Sequence, residues 1–539
     1  MEKPLISLFP EAHQIPEEVR VPYTEQREYL INGKLCEWPG ALNPVVSPVC
    51  IKQADGTAVP QVIGKTPLMD SATALQILEA AVQAYNMGQG YWPTRSVAER
   101  IAHVENFLAR MRTVRNEVVN LLMWEIGKTR KDSEKEFDRT CDYIADTIKA
   151  LKELDRSSAK FTEEQGFMAQ IRRVPLGVVL CMGPYNYPLN ETFSTLIPAL
   201  IMGNTVIFKP AKYGVLLIRP LLEAFRDAFP PGVINILYGR GRETVGALME
   251  TGKIDAFAFI GTHKGANDLK KLHPKPNRLK AILGLDAKNP AIILPDADLD
   301  NAISECITGS LSFNGQRCTA LKILFVHKKI VNEFLDRFTE AVKALKAGMP
   351  WEPGVSLTPL PEPGKTDYLE GLVKDALAHG ARIMNDNGGA VNKTFFYPAV
   401  LYPVNPHMRV YYEEQFGPVI PVVPFEHDET PIQYVVNSNY GQQASVFGSS
   451  GKVLARYIDA FTNQVGRINI NTQCQRGPDT FPFNGRKDSA EGTLSVADAL
   501  RAFSIRTVVA TKATDENKQI IASIIRNRES VFLSTDYII

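Results

Sequence analysis

No CxxC pair occurs in this sequence, and its seven cysteines, at 36, 50, 141, 181, 306, 318 and 474, are scattered and odd in number. That argues against a disulfide framework and against the common zinc-site spacings, so no metal is expected. A surplus of one charge sign is equally absent. The 60 basic residues face 59 acidic ones for a formal net charge of +1, so nothing draws the whole molecule to nucleic acid or to an anionic membrane. No apolar run reaches the roughly 18 to 20 residues that cross a bilayer. The N-terminal MEKPLISLFPEAHQIPEEVR has no basic stretch leading into an apolar one, and a cytoplasmic location is expected. What remains is 45% hydrophobic and 22% charged, the composition of a globular protein. At 539 residues it is too long for a single core, which predicts two or three domains.

Along the chain, the first 70 residues read as an arm or meander of short strands. SATALQILEAAVQAYNMG then opens a helical pattern with Ser71 as its cap, and helical periodicity continues to about residue 154. From Arg172 strand and helix patterns alternate, through VPLGVVLCMGP, TVIFKPA, GVINILYG and IDAFAFIG. A second set follows in PAIILP, LKILFVH, GPVIPVVPF and ASVFGSS. Alternation of this kind predicts an α/β protein with parallel sheets and helical crossovers. The boundary between the two units is expected near residues 283 to 290.

The stretch FNGQRCTA places Cys318 after a polar turn and directly after Arg317. A lone cysteine ordinarily packs as a small hydrophobe. Here access through a loop, a neighbouring cation and an expected helix N-terminus all favour a nucleophilic thiolate.

With the other motifs in the same order, residues 30 to 510 resemble the aldehyde dehydrogenase superfamily. GPYNYP resembles that family's oxyanion loop, which implies that Asn186 and the Cys318 backbone N–H donate to a thiohemiacetal oxyanion. NTVIFKPA resembles the strand whose lysine, Lys209, holds the adenosine ribose. YGRGRETVG and FIGTHKGA resemble the glycine turns that approach the cofactor, with Gly241, Gly246 and Gly261. EEQFGPV implies that Glu414 bonds the nicotinamide ribose and that Phe416 flanks the ring. Where members that prefer NAD carry a glutamate three residues after the ribose lysine, this chain has Lys212, so NADP is the expected cofactor in place of NAD.

Tyr187, Arg317 and Arg476, with Arg139 from an early helix, resemble the phosphate-binding set of the non-phosphorylating glyceraldehyde-3-phosphate dehydrogenases within the superfamily. The resemblance implies a small aldehyde substrate and assembly into a homodimer or homotetramer. It also implies a cofactor domain over 1–152 and 176–286, a catalytic domain over 287–490, and an oligomerisation arm from 153–175 and 491–512. Residues 513–539 form an extension whose apolar end is expected to dock on a neighbouring subunit or to enter the substrate tunnel. One position departs from the pattern. The glutamate that activates the deacylating water lies 34 residues before the nucleophile in most of the family, and here that residue is Gly284. Asp286 is the nearest carboxylate and the first candidate to replace it. Glu414, Glu491 and slow deacylation are the alternatives.

Overall fold

The computed structural model describes residues 8 to 538. After the expected N-terminal meander, the helix Ser71–Tyr85 is capped by Asp70, whose side chain accepts from the Thr73 N–H, and not by Ser71. Ser71 is the first residue inside the helix; the carboxylate one residue earlier is placed to take an orphan donor. Thr129 caps the 29-residue helix Arg130–Ser158 in the same way, accepting from the Asp132 N–H.

Val178–Met182, Thr205–Lys209, Ile234–Ile236, Ala256–Ile260 and Lys280–Gly284 form one parallel sheet. The first, second and fourth of these are runs of apolar and β-branched residues without alternation, buried on both faces by the crossover helices. Numbered along the chain, their order across the sheet is third, second, first, fourth, fifth. The order reverses between Val178–Met182 and Ala256–Ile260, and a crevice opens at the carboxyl ends of strands at such a point.

A second, seven-stranded sheet centres on Ile323–His327, between Pro290–Ile293 and Val419–Phe425. The segments just before these three strands carry Asp286, Cys318 and Glu414. Loops at the amino ends of the second sheet therefore meet the carboxyl ends of the first, and the chemistry lies between the two.

The expected span 491–512 divides between two places. Ala490–Glu491 pairs antiparallel with Lys280–Gly284, with Ala490 opposite Gly284, and the helix Val496–Ala502 packs on Arg130–Ser158 and Asn190–Ile201. Only Ser504–Lys512 joins Phe161–Glu164 and Phe167–Pro175 in the three-stranded arm. The extension forms the helix Asp515–Arg526 and then folds back on its own chain. Gln170 Nε2 and Arg172 donate to the Ser534 carbonyl at 2.6 and 2.8 Å, and Leu533 is buried. Its described residues line neither cavity around Cys318. Among the described residues, no helix is long and apolar enough to cross a membrane.

Candidate active site

Two cavities share Cys318. The larger, about 1040 Å³, opens at the strand-order reversal and is lined by Met182, Ile260 and Gly261, by Lys209 and Lys212, and by Asp286, Glu414 and Phe416. The smaller, about 300 Å³, is lined by Arg139, Tyr187, Glu191, Arg317 and Arg476. The tertiary structure thus brings the expected cofactor and substrate residues to opposite sides of one thiol. Gly241 and Gly246 are outside this lining; Gly241 opens the helix Gly241–Glu250 close to Lys209, and Gly246 lies further along it. Gly261 does line the larger cavity, and a Cβ there would sit 2.5 Å from the Phe259 ring, so a larger residue would require that ring to shift.

The nucleophile loop corrects one expectation. No helix starts at Cys318. The loop leaves the single 3-10 turn Ser312–Gly315, with Phe313 and Asn314 at φ +49° and +55°, and enters the strand Ile323–His327. Burial pushes the thiol above its usual value; Lys322 and then Arg317 pull it down, while Glu414 adds to the rise. The main cation is therefore Lys322, four residues on, because the Arg317 guanidinium turns away to the Thr308 and Gly309 carbonyls and to Gln473 Oε1. Lys322 Nζ donates to the Cys318 carbonyl at 2.7 Å and lies 2.6 Å from Glu414 Oε1. Asn289 Nδ2 also donates to that carbonyl, at 2.8 Å. The peptide that carries the thiol is fixed from two sides.

Asn186 is buried, and its Nδ2 donates to the Gln316 carbonyl at 2.8 Å. An amide nitrogen has two hydrogens, so this bond orients the group and leaves one donor for an oxyanion. Beneath it, Lys128 Nζ donates to the Asn186 carbonyl at 2.7 Å, pairs with buried Glu136, and sits 3.6 Å from the centre of the Tyr187 ring. Burial pushes the Lys128 ammonium down, and Glu136 opposes that. Glu136 in turn accepts from the Leu189 N–H at 3.0 Å. This buried pair holds the loop that carries Asn186, and no sequence motif singled out either residue.

On the cofactor side, burial pushes the Lys209 ammonium down to about 8, and its recorded acceptor is the Pro210 carbonyl at 3.4 Å. Lys212 is exposed at the rim with its Nζ 5.0 Å from the Tyr213 ring centre. Glu414 accepts from the Ala287 N–H at 3.1 Å, and burial raises its carboxyl. Asp286 lies beyond the end of its strand, not within it. The His263 N–H donates to its Oδ2 at 2.6 Å, and His263 Nδ1 lies 2.7 Å from the same oxygen. Glu491 is half exposed, pairs with Lys270 at 2.6 Å and lines neither cavity.

On the substrate side the arginines are not bare. Arg139 donates to both oxygens of Asp479, at 2.8 and 2.7 Å. Arg476 pairs with Glu191 and, at 3.3 Å, with Asp479. Of the three, Arg317 alone has no carboxylate partner among the described residues. Sequence signals for both carboxylates existed: Glu191 stands in the otherwise uncharged helix NETFSTLIPALI, and Asp479 is three residues after Arg476.

The aldehyde dehydrogenase family model matches residues 55–509. The chain belongs to the aldehyde dehydrogenase family. Among its relatives, the NADP-dependent glyceraldehyde-3-phosphate dehydrogenase of Streptococcus equinus is 32% identical over 463 residues, covering 84% of this chain and 92% of that one. The enzyme of that name from Apium graveolens is 31% identical over 442 residues, covering 80% and 86%. A crystal structure of NADP-dependent glyceraldehyde-3-phosphate dehydrogenase from Bacillus halodurans C-125, complexed with NADP, superposes with a TM-score of 0.82 at 30% identity and covers 92% of this chain and 100% of that one.

Proposed function

We propose that this aldehyde dehydrogenase converts an aldehyde, NADP+ and water to a carboxylic acid and NADPH through a thioester on Cys318, with glyceraldehyde 3-phosphate as its substrate. The observation that carries the reading is the meeting of two cavities at one thiol, the larger bearing Lys209, Lys212, Gly261, Glu414 and Phe416 and the smaller bearing Tyr187 and three arginines. The larger cavity suits a dinucleotide phosphate: a buried lysine with a weak acceptor, a glycine approach and a rim cation all match its groups. NADP+ held there supplies the hydride acceptor.

The Cys318 thiolate adds to the carbonyl carbon, and the oxyanion takes donors from Asn186 Nδ2 and the Cys318 N–H. Loss of hydride leaves the thioester. Asp286 then takes a proton from water, which attacks the acyl carbon and frees the thiol. In the smaller cavity Arg317, Arg139 and Arg476 orient the distal end of the substrate. The exposed apolar residues Phe167, Ile171, Ile505 and Val508 on the arm support assembly into a homodimer or homotetramer.

A second reading, oxidation of an unphosphorylated aldehyde, is favoured by the ion pairs Arg139–Asp479 and Arg476–Glu191. A dianionic phosphate must displace or share these carboxylates, and it would bring two negative charges beside Asp479 and the buried Glu191. Comparing NADPH formation from glyceraldehyde 3-phosphate and from glyceraldehyde in phosphate-free buffer decides between them. The first reading expects kcat/KM to favour the phosphorylated aldehyde at least about tenfold, one charge-assisted bond's worth; equal or reversed values establish the second.

Lys212 carries the cofactor choice. Lys212→Glu is expected to raise KM for NADP+ about 10- to 100-fold, with KM for NAD+ little changed, because an attraction to the 2′-phosphate becomes a repulsion. Parallel titrations of the two cofactors check it, and an unchanged ratio means that the rim lysine is merely solvated.

A further inference from the structure

One side chain in the smaller cavity has no evident structural task. Asn190 is 1% exposed, and both its Nδ2 and its Oδ1 are buried without a hydrogen-bond partner. It lines the cavity that holds Cys318, as does Arg317, whose Nε is likewise buried and unpartnered. Asn190 opens the helix Asn190–Ile201, but its side chain is not what anchors that turn: its backbone N–H donates to Glu136 Oε1 at 3.3 Å, beside the Leu189 N–H. A buried carboxamide with donor and acceptor both unmatched is costly, and leucine, of similar volume, would avoid the cost. The group therefore has the properties of a binding element awaiting a ligand.

Its chemistry narrows the ligand. A carboxamide presents a donor and an acceptor side by side, which matches a group that does both. A hydroxyl qualifies. A phosphate or carboxylate does not, since Oδ1 would face an anionic oxygen. We infer that Asn190 binds a hydroxyl in the substrate's own chain, and so makes the enzyme selective for hydroxylated aldehydes over their deoxy analogues. The inference rests on the dehydrogenase reading above, but it is independent of whether the distal end carries a phosphate.

The test measures kcat/KM for NADPH formation by the wild-type enzyme and Asn190→Leu with two pairs, lactaldehyde against propanal and glyceraldehyde 3-phosphate against 3-oxopropyl phosphate. Comparing the ratio within each pair between the two enzymes cancels the intrinsic reactivity of the aldehydes. The wild-type enzyme is expected to favour the hydroxylated member about 10- to 100-fold in the pair it accepts, the worth of one or two hydrogen bonds. The leucine variant should bring that ratio near one while keeping its rate with the deoxy member. Should it fail to fold, Asn190→Ala is read in its place. The same ratio in variant and wild type overturns the inference, and so does equal loss with both members. No turnover of any of the four aldehydes by the wild-type enzyme overturns instead the dehydrogenase reading on which it rests.

Discussion

Cys318→Ala is expected to abolish NADPH formation, by at least about 10⁴-fold, while NADP+ still binds. Cys318 and Glu191 line both cavities, and of the two only the thiol is a ready nucleophile toward a carbonyl carbon within reach of a hydride acceptor. Its environment also predicts how the wild-type enzyme responds to pH. Burial holds the thiol above its usual range, so at neutral pH most of it is protonated and the reactive thiolate is a minority. Below the thiol's pKa the thiolate fraction grows about tenfold per pH unit, so single-turnover NADPH formation should climb through the alkaline range. Lys322 opposes the effect of burial. Lys322→Met should therefore move the whole profile to higher pH, with slower acylation at neutral pH. Stopped-flow traces across pH report both, and more than a few per cent of wild-type activity in the alanine variant would place the nucleophile elsewhere.

The second large effect concerns deacylation. Asp286→Asn is expected to lower steady-state turnover about 10²- to 10⁴-fold, the usual worth of a general base, and to leave a burst of about one NADPH per active site. The burst arises because hydride transfer precedes the step that needs the base. Both contacts from His263 fall on Oδ2, which leaves Oδ1 to accept a proton from water. Restoring the missing carboxylate gives the complementary experiment. The nearest atoms to a Cβ built at Gly284 belong to Ile260 and Leu494, at 3.5 to 3.8 Å, which is ordinary contact. Gly284→Glu placed on the Asp286→Asn background should recover steady-state turnover. Unimpaired turnover in Asp286→Asn would transfer the role to Glu414, whose carboxyl is raised by burial and whose charge acts on the thiol; Glu414→Gln would then show the loss.

Some of this was legible residue by residue. The runs VVLCM, TVIFK and AFAFI announce strands buried on both faces, and such strands imply covering helices and a parallel sheet. Cys318, Asn186, Lys209 and Glu414 sit in motifs with fixed spacing, and local sequence suffices to mark them. The environment of Cys318 was not legible. Arg317 is its neighbour in sequence, yet side chains of adjacent residues diverge, and the guanidinium leaves for three acceptors elsewhere. Lys322 reaches it instead, because the chain bends between the 3-10 turn and the strand.

The sequence by itself determined the α/β class, the order of the two sheets along the chain and the family, and it marked the candidate nucleophile, because apolar periodicity and short motifs are local properties. Only the tertiary structure decided the charge of the smaller cavity. Arg139 and Asp479 are 340 residues apart in the chain, and Glu191 and Arg476 are 285 apart. Whether an arginine is free for a ligand depends on which carboxylate folding brings beside it, and no local pattern records a pairing across that distance.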